Sequence, residues 1–88
     1  MMSPCAFIIR MSTPLLTMRG IVDFLLNRGI KVKSMNLQCL NDLDGVLIIH
    51  CNMEKDRIKH AGNLLEKIKG VIEVEILQAH VSNLIKLQ

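Results

Sequence analysis

The stretch Gly29–Cys39, "GIKVKSMNLQC", decides how the chain is read. Its first apolar side chains fall on even positions, Ile30 and Val32, and its later ones on odd positions, Met35, Leu37 and Cys39. Residues i and i+2 of a strand share a face, so this change of parity would turn half of them away from the core. One extra residue near Lys33–Ser34 resolves the conflict. Such a β-bulge opposes two residues to one on the neighbouring strand and re-aims the side chains beyond it. Ile30 and Val32 then pack under the helices, and Met35, Leu37 and Cys39 continue that packing. Bulges concentrate at sheet edges and beside binding sites, which marks the segment as a place of function.

On the N-terminal side, "AFIIRM" (6–11) alternates Phe7, Ile9 and Met11 against Ile8 and Arg10, the pattern of a strand. Ser12 or Thr13 can cap a helix, and Pro14 suits its first turn. Leu15, Met18, Ile21, Val22 and Leu25 then form one helical stripe, and Gly29 closes the helix at a left-handed C′ position. Gly20 costs this helix about 1 kcal/mol relative to Ala, which close packing on the sheet would justify.

On the C-terminal side, "NDLDG" (41–45) reads as a turn in which Asp44-Gly45 favours positive φ. "VLIIHCNM" (46–53) completes a hairpin. "EKDRIKHAGNLLEKIKG" (54–70) carries Ile58, Ala61, Leu65 and Ile68 on one stripe, with acids early and lysines late as the helix dipole favours. "VIEVEIL" (71–77) sets Ile72, Val74 and Ile76 against Glu73 and Glu75. Residues 1–78 thus make one domain, and residues 79–88 a tail or short extra strand. The order βαββαβ is the ferredoxin-like α+β motif, an antiparallel sheet with both helices on one face.

The chain has 88 residues, half of them apolar, with only Phe7 and Phe24 as aromatics, so its core must be aliphatic. Net charge is +3 with no run of one sign. Three cysteines without C-x-x-C spacing suggest reduced thiols in a cytoplasmic protein. The first residues lack the basic segment of a signal peptide, and no stretch approaches the ~18 apolar residues of a membrane span.

Sharper chemistry finds little support. His50 and Cys51 are neighbours on a strand, point to opposite faces and cannot share a metal ion. Cys39 and Cys51 lie at unequal distances from the turn, so no disulfide is expected. No hydroxyl has a paired His and carboxylate, so no catalytic residue is assigned. Basic residues of the second helix alternate with acids as on an ordinary wet face. RNA-binding sheets stack bases on aromatics, and the two central strands offer only Phe7, so nucleic acid is not an expected partner. Ile8 and Arg10 lie opposite the helices, on a sheet face that is open to a partner.

"RGIKVKSMNLQ" (28–38) resembles the helix-to-strand segment of ACT domains in the small regulatory subunit of acetohydroxyacid synthase (acetolactate synthase). There Arg-Gly-aromatic-x-(Ile/Val)-x-Ser precedes an apolar residue. Arg28, Gly29, Val32 and Ser34 match, and Ile30 replaces the aromatic. The short isozyme II type also shares Ser34-Met35-Asn36. "LLEKIKGVIEVEIL" (64–77) is similar to the family's Q-L-x-K-L-x-x-V-x-x-V close through Leu65, Lys67, Ile68, Val71 and Val74, and Ala79-His80-Val81 to the residues after the first ACT domain of longer subunits.

The resemblance implies a non-catalytic subunit in branched-chain amino-acid biosynthesis. Such a subunit carries no cofactor and adjusts a large catalytic subunit that holds thiamine diphosphate, Mg and FAD. It implies homodimers through sheet or strand edges, and an amino-acid effector held at that pairing by the loop from strand one to helix one. Ser12, Thr13, Pro14, Leu15 and Leu16 form this loop, and Ser34 and Asn36 lie near the dimer seam. Effector-sensitive members carry a Gly there that lets backbone amides approach a carboxylate. Here Leu15 or Leu16 takes its place, which puts valine binding in question. Lys31 stands where the family has a second ligand-contacting Asn. It can pair with a carboxylate or guard a sheet edge against aggregation. The other function considered is an ACT-type amino-acid sensor for a different enzyme.

Overall fold

A computed structural model describes residues 2–78. Strand β1 (Met2–Ser12) leads into helix α1 (Pro14–Asn27), followed by β2 (Lys31–Cys39), β3 (Asp44–Glu54), a 3-10 turn (Lys55–Arg57), α2 (Ile58–Leu65) and β4 (Val71–Gln78). The strands form one antiparallel sheet in the order β2-β3-β1-β4. The two helices cover one face, giving the expected ferredoxin-like α+β fold. The expected tail, 79–88, lies outside the described residues.

Alternation in the central strands builds the core. Cys5, Phe7, Ile9 and Met11 of β1 meet Leu47, Ile49, Cys51 and Met53 of β3 under Ile21 and Leu25 of α1 and Ile58, Ala61 and Leu65 of α2. At ~25 cal/mol per Å² of apolar surface buried, aliphatic packing of this kind is the main term holding so small a domain together.

The bulge lies where the parity change requires it. Val32 opposes Cys51 and Ser34 opposes His50, so Lys33 is the extra residue. Beyond it Met35 opposes Ile49 and Leu37 opposes Leu47, on the helix side. Their cover is thinner than the pattern implies: Met35 remains 37% exposed, Cys39 is exposed and Leu37 is half-buried. A second bulge, in "VIEVEIL", has no counterpart in the sequence pattern. Glu73 opposes Arg10 but Val71 opposes Met11, so Ile72 is skipped and left 56% exposed. Val71, not Ile72, joins Val74 and Ile76 against the core.

Other local readings need correction. Leu15 is 79% exposed, and the buried stripe of α1 is Pro14, Thr17, Ile21 and Leu25. Gly45 lies in β3 rather than in a positive-φ turn; a Cβ there would come within 2.6 Å of Pro14 Cγ, so the residue makes room for the start of α1. The turn is held instead by Asn41, whose Oδ1 accepts from the amides of Leu43 and Asp44. Gly20 packs against Ile68, in the turn after α2, rather than against the sheet. Gly62 supplies the close helix–sheet approach: a Cβ there would lie 2.5 Å from Ile76 Cδ1. Helix α2 is also shorter than its stripe, because i→i+3 bonds from Lys67 and Ile68 tighten the chain toward Gly70.

Candidate functional site

The β1–α1 connection combines several unusual features. Thr13 has φ 40° and ψ 67°, the left-handed region that β-branched residues avoid, and it is the one non-glycine residue of positive φ among the described residues. Neither Ser12 nor Thr13 caps α1 through its side chain. The Ser12 amide donates to Gly70 O at 2.8 Å, and the Ser12 hydroxyl to the same oxygen at 3.3 Å. The Thr13 amide donates to Leu43 O at 3.1 Å, and the Thr17 hydroxyl to Ser12 O at 2.5 Å. Gly70 has φ 97°, and any Cβ on it would collide with Thr17. The loop is therefore clamped from both sides, which lets Thr13 hold a strained backbone.

Leu15 and Leu16 project from this loop, 79% and 77% exposed. Leu40 and Leu43, in the β2–β3 turn beside it, are 65% and 67% exposed. Between the two segments lies an open cleft of about 260 Å³, walled by Thr13, Pro14, Leu15 and Leu16 on one side and Cys39, Asn41 and Asp42 on the other. No cation lines it. Pro14 has no amide hydrogen, and the amides of Leu16 and Thr17 both donate to Thr13 O. Little of the helix N-terminus remains to hold a carboxylate.

The expected site residues do not converge within one protomer. Thr13 to Leu16 share the cleft, and Ser12 lies behind them against Gly70. Lys31 begins β2, at the opposite end of that strand, opposite Asn52. Ser34 and Asn36 oppose His50 and Ile48 on the sheet face away from the helices, and all three β2 residues are exposed. That face carries Ile8 and Arg10 as expected, with Ile48 36% exposed, while Phe7 is fully buried on the other side. The open face is thus without aromatics among the described residues.

One arrangement escaped sequence reasoning. Cys5 and Cys51 are directly opposed on β1 and β3, with sulfurs 3.3 Å apart in the core. Burial raises both thiol pKa values. Cys51 is pushed up to about 12, with the hydrogen bond and charge of Cys5 adding to the effect of burial. Cys51 shares its face with the core as its alternation from His50 requires, but its partner depends on β1–β3 register, which neither strand reveals alone. Among the described residues no three of His, Cys, Asp and Glu gather as metal ligands, and no helix is long and apolar enough to cross a membrane.

No family model matches this sequence, and no curated protein matches it. Solved structures do match in shape. The ACT domain from GTP pyrophosphokinase of Chlorobium tepidum, in solution, is 15% identical with TM-score 0.74, covering 90% of each chain. The C-terminal domain of the MgtC protein from Mycobacterium tuberculosis is 14% identical with TM-score 0.68, covering 91% of this chain and 90% of that one. A homoserine dehydrogenase from Thiobacillus denitrificans is 12% identical with TM-score 0.69, covering 91% of this chain and 18% of that one. Identities this low establish shape, and the shape is the ferredoxin-like fold of ACT domains.

Proposed function

We propose that the chain is a non-catalytic regulatory domain of the ACT type, working as a homodimer joined along β2. The observation that carries this reading is the bare flank of β2. Met35, Cys39, Leu15 and Leu16 are apolar and exposed beside a strand edge that has no neighbour in the sheet among the described residues. Charge favours an antiparallel two-fold pairing. β2 begins with Lys31 and Lys33 and leads into a turn with Asp42 and Asp44, so each basic start would face the partner's acidic end. The same pairing would carry Lys31 of one copy toward the Thr13–Leu16 loop of the other. That joins residues which one protomer holds apart, and supplies the cation that the cleft lacks.

The activity served by this dimer is that of the acetohydroxyacid synthase small subunit, on the resemblance of residues 28–38 and 64–77. The domain would bind the active arrangement of a large subunit more tightly than the inactive one and so raise its population. Thiamine diphosphate, Mg and FAD belong to that partner. Co-expression with a thiamine-dependent large subunit tests the reading: the two should co-purify, and acetolactate formation should rise on mixing. Failure to associate would reject it. A second reading, an ACT-type sensor for another enzyme, is favoured by the likeness to an ACT domain from GTP pyrophosphokinase. It predicts that a free amino acid raises the Tm of the isolated domain without any large subunit.

A further inference from the structure

At the end of the molecule far from the Thr13–Leu16 loop, the end of α1, the start of β2 and the β3–α2 connection enclose a small cleft of about 80 Å³. Four basic side chains line it, Arg28, Lys31 and Arg57 from these elements and His60 from α2. One carboxylate, Glu54, also lines it. Three permanent cations against one acid concentrate positive charge at this spot, in a chain whose whole net charge is only +3. Ile30, Ala61 and Leu64 give the cleft an apolar floor. The Arg28 guanidinium sits 5.0 Å from the Phe24 ring centroid, a stacking that restrains it while leaving its in-plane N–H groups available.

We propose that this cleft binds an oxyanion, a phosphate or carboxylate group, held by Arg28 and Arg57 with His60 at its rim. Guanidinium forks match both groups, and charge-assisted hydrogen bonds of this kind are the strong ones. The cleft is small, so it accepts an oxyanion group and leaves the rest of a larger ligand outside. Concavity and convergence from separate elements distinguish it from the mixed-charge outer face of α2. The site goes beyond regulation at the β2 pairing, because all its lining comes from one protomer.

The test is an NMR titration of the full-length chain, labelled with ¹⁵N, with sodium phosphate in one arm and sodium acetate in the other. Sodium chloride at matched ionic strength is the reference. Saturable shifts confined to the amides of residues 28–31 and 54–61 are expected in at least one arm, and the arm identifies the group. Arg57→Gln should weaken binding at least five-fold. Glu54→Gln, which removes the opposing charge, should tighten it, and Lys69→Gln, remote from the cleft, should leave it unchanged. Shifts no larger than those in chloride would overturn the proposal. So would equal losses in Arg57→Gln and Lys69→Gln, which would mean diffuse attraction by the net charge.

Discussion

Met35 and Ile49 oppose each other on one ladder of the sheet, both on the helix side, yet Met35 is 37% exposed and Ile49 fully buried. The contrast extends along their strands. On its helix side β3 buries Leu47, Ile49, Cys51 and Met53, whereas β2 has no buried residue at all. Two strands with similar apolar patterns therefore serve different ends. β3 holds this molecule together, and under the proposed pairing β2 would offer the same kind of surface to another. An apolar side chain at a covered position supports the fold; at an uncovered edge it supports association.

The largest expected effect contrasts that pair directly. Ile49→Ala should cost about 2–5 kcal/mol in denaturant unfolding, as buried large-to-small changes do, enough to threaten folding of so small a domain. Met35→Ala should cost less than about 1 kcal/mol at protein concentrations where the chain is monomeric. Equal losses would erase the distinction between the strands. Next in size, Gly70→Ala should cost at least about 2 kcal/mol, from its positive φ and the collision with Thr17. The same change at Gly29, where φ is 62° but a Cβ would meet nothing, should cost only about 1 kcal/mol.

Alkaline pH probes the buried strands. A folded-state thiol pKa raised above its unfolded value gives stability that is complete below pH 9 and is lost as pH rises toward about 12. Unfolding free energy should fall between those limits by on the order of 1 kcal/mol per pH unit. Cys51→Ala should flatten that slope. The smallest effect belongs to the loop: Thr13→Gly relieves the left-handed backbone and should raise stability by up to about 1 kcal/mol.

Much of the fold was legible from residues 6–11, 29–39 and 46–53, because side-chain alternation records which face is buried. The Lys33 bulge could be read since apolar residues on both sides of it changed parity together. The Ile72 bulge could not, since Ile72 is itself apolar and completes a false alternation with Val74 and Ile76. Leu15 likewise extended a helical stripe that the structure starts from Pro14 and Thr17, a proline and a polar residue that hydropathy passes over. Of the candidate site, helix-start signals placed the β1–α1 loop, while only the resemblance named its residues as a site. Their clamping by Gly70 and Leu43, the Cys5–Cys51 opposition and the basic cleft depend on long-range register. Spacing along one segment carries no record of contacts made far away along the chain.

Sedimentation equilibrium of the wild-type chain and of Met35→Lys tests the pairing of β2 most directly. Pairing along this edge predicts a wild-type dimer of twice the 9.9 kDa chain mass, and a Met35→Lys monomer with unchanged far-UV circular dichroism. A wild-type chain that remains monomeric at hundreds of micromolar, or a Met35→Lys chain that dimerises as tightly as wild type, would contradict it.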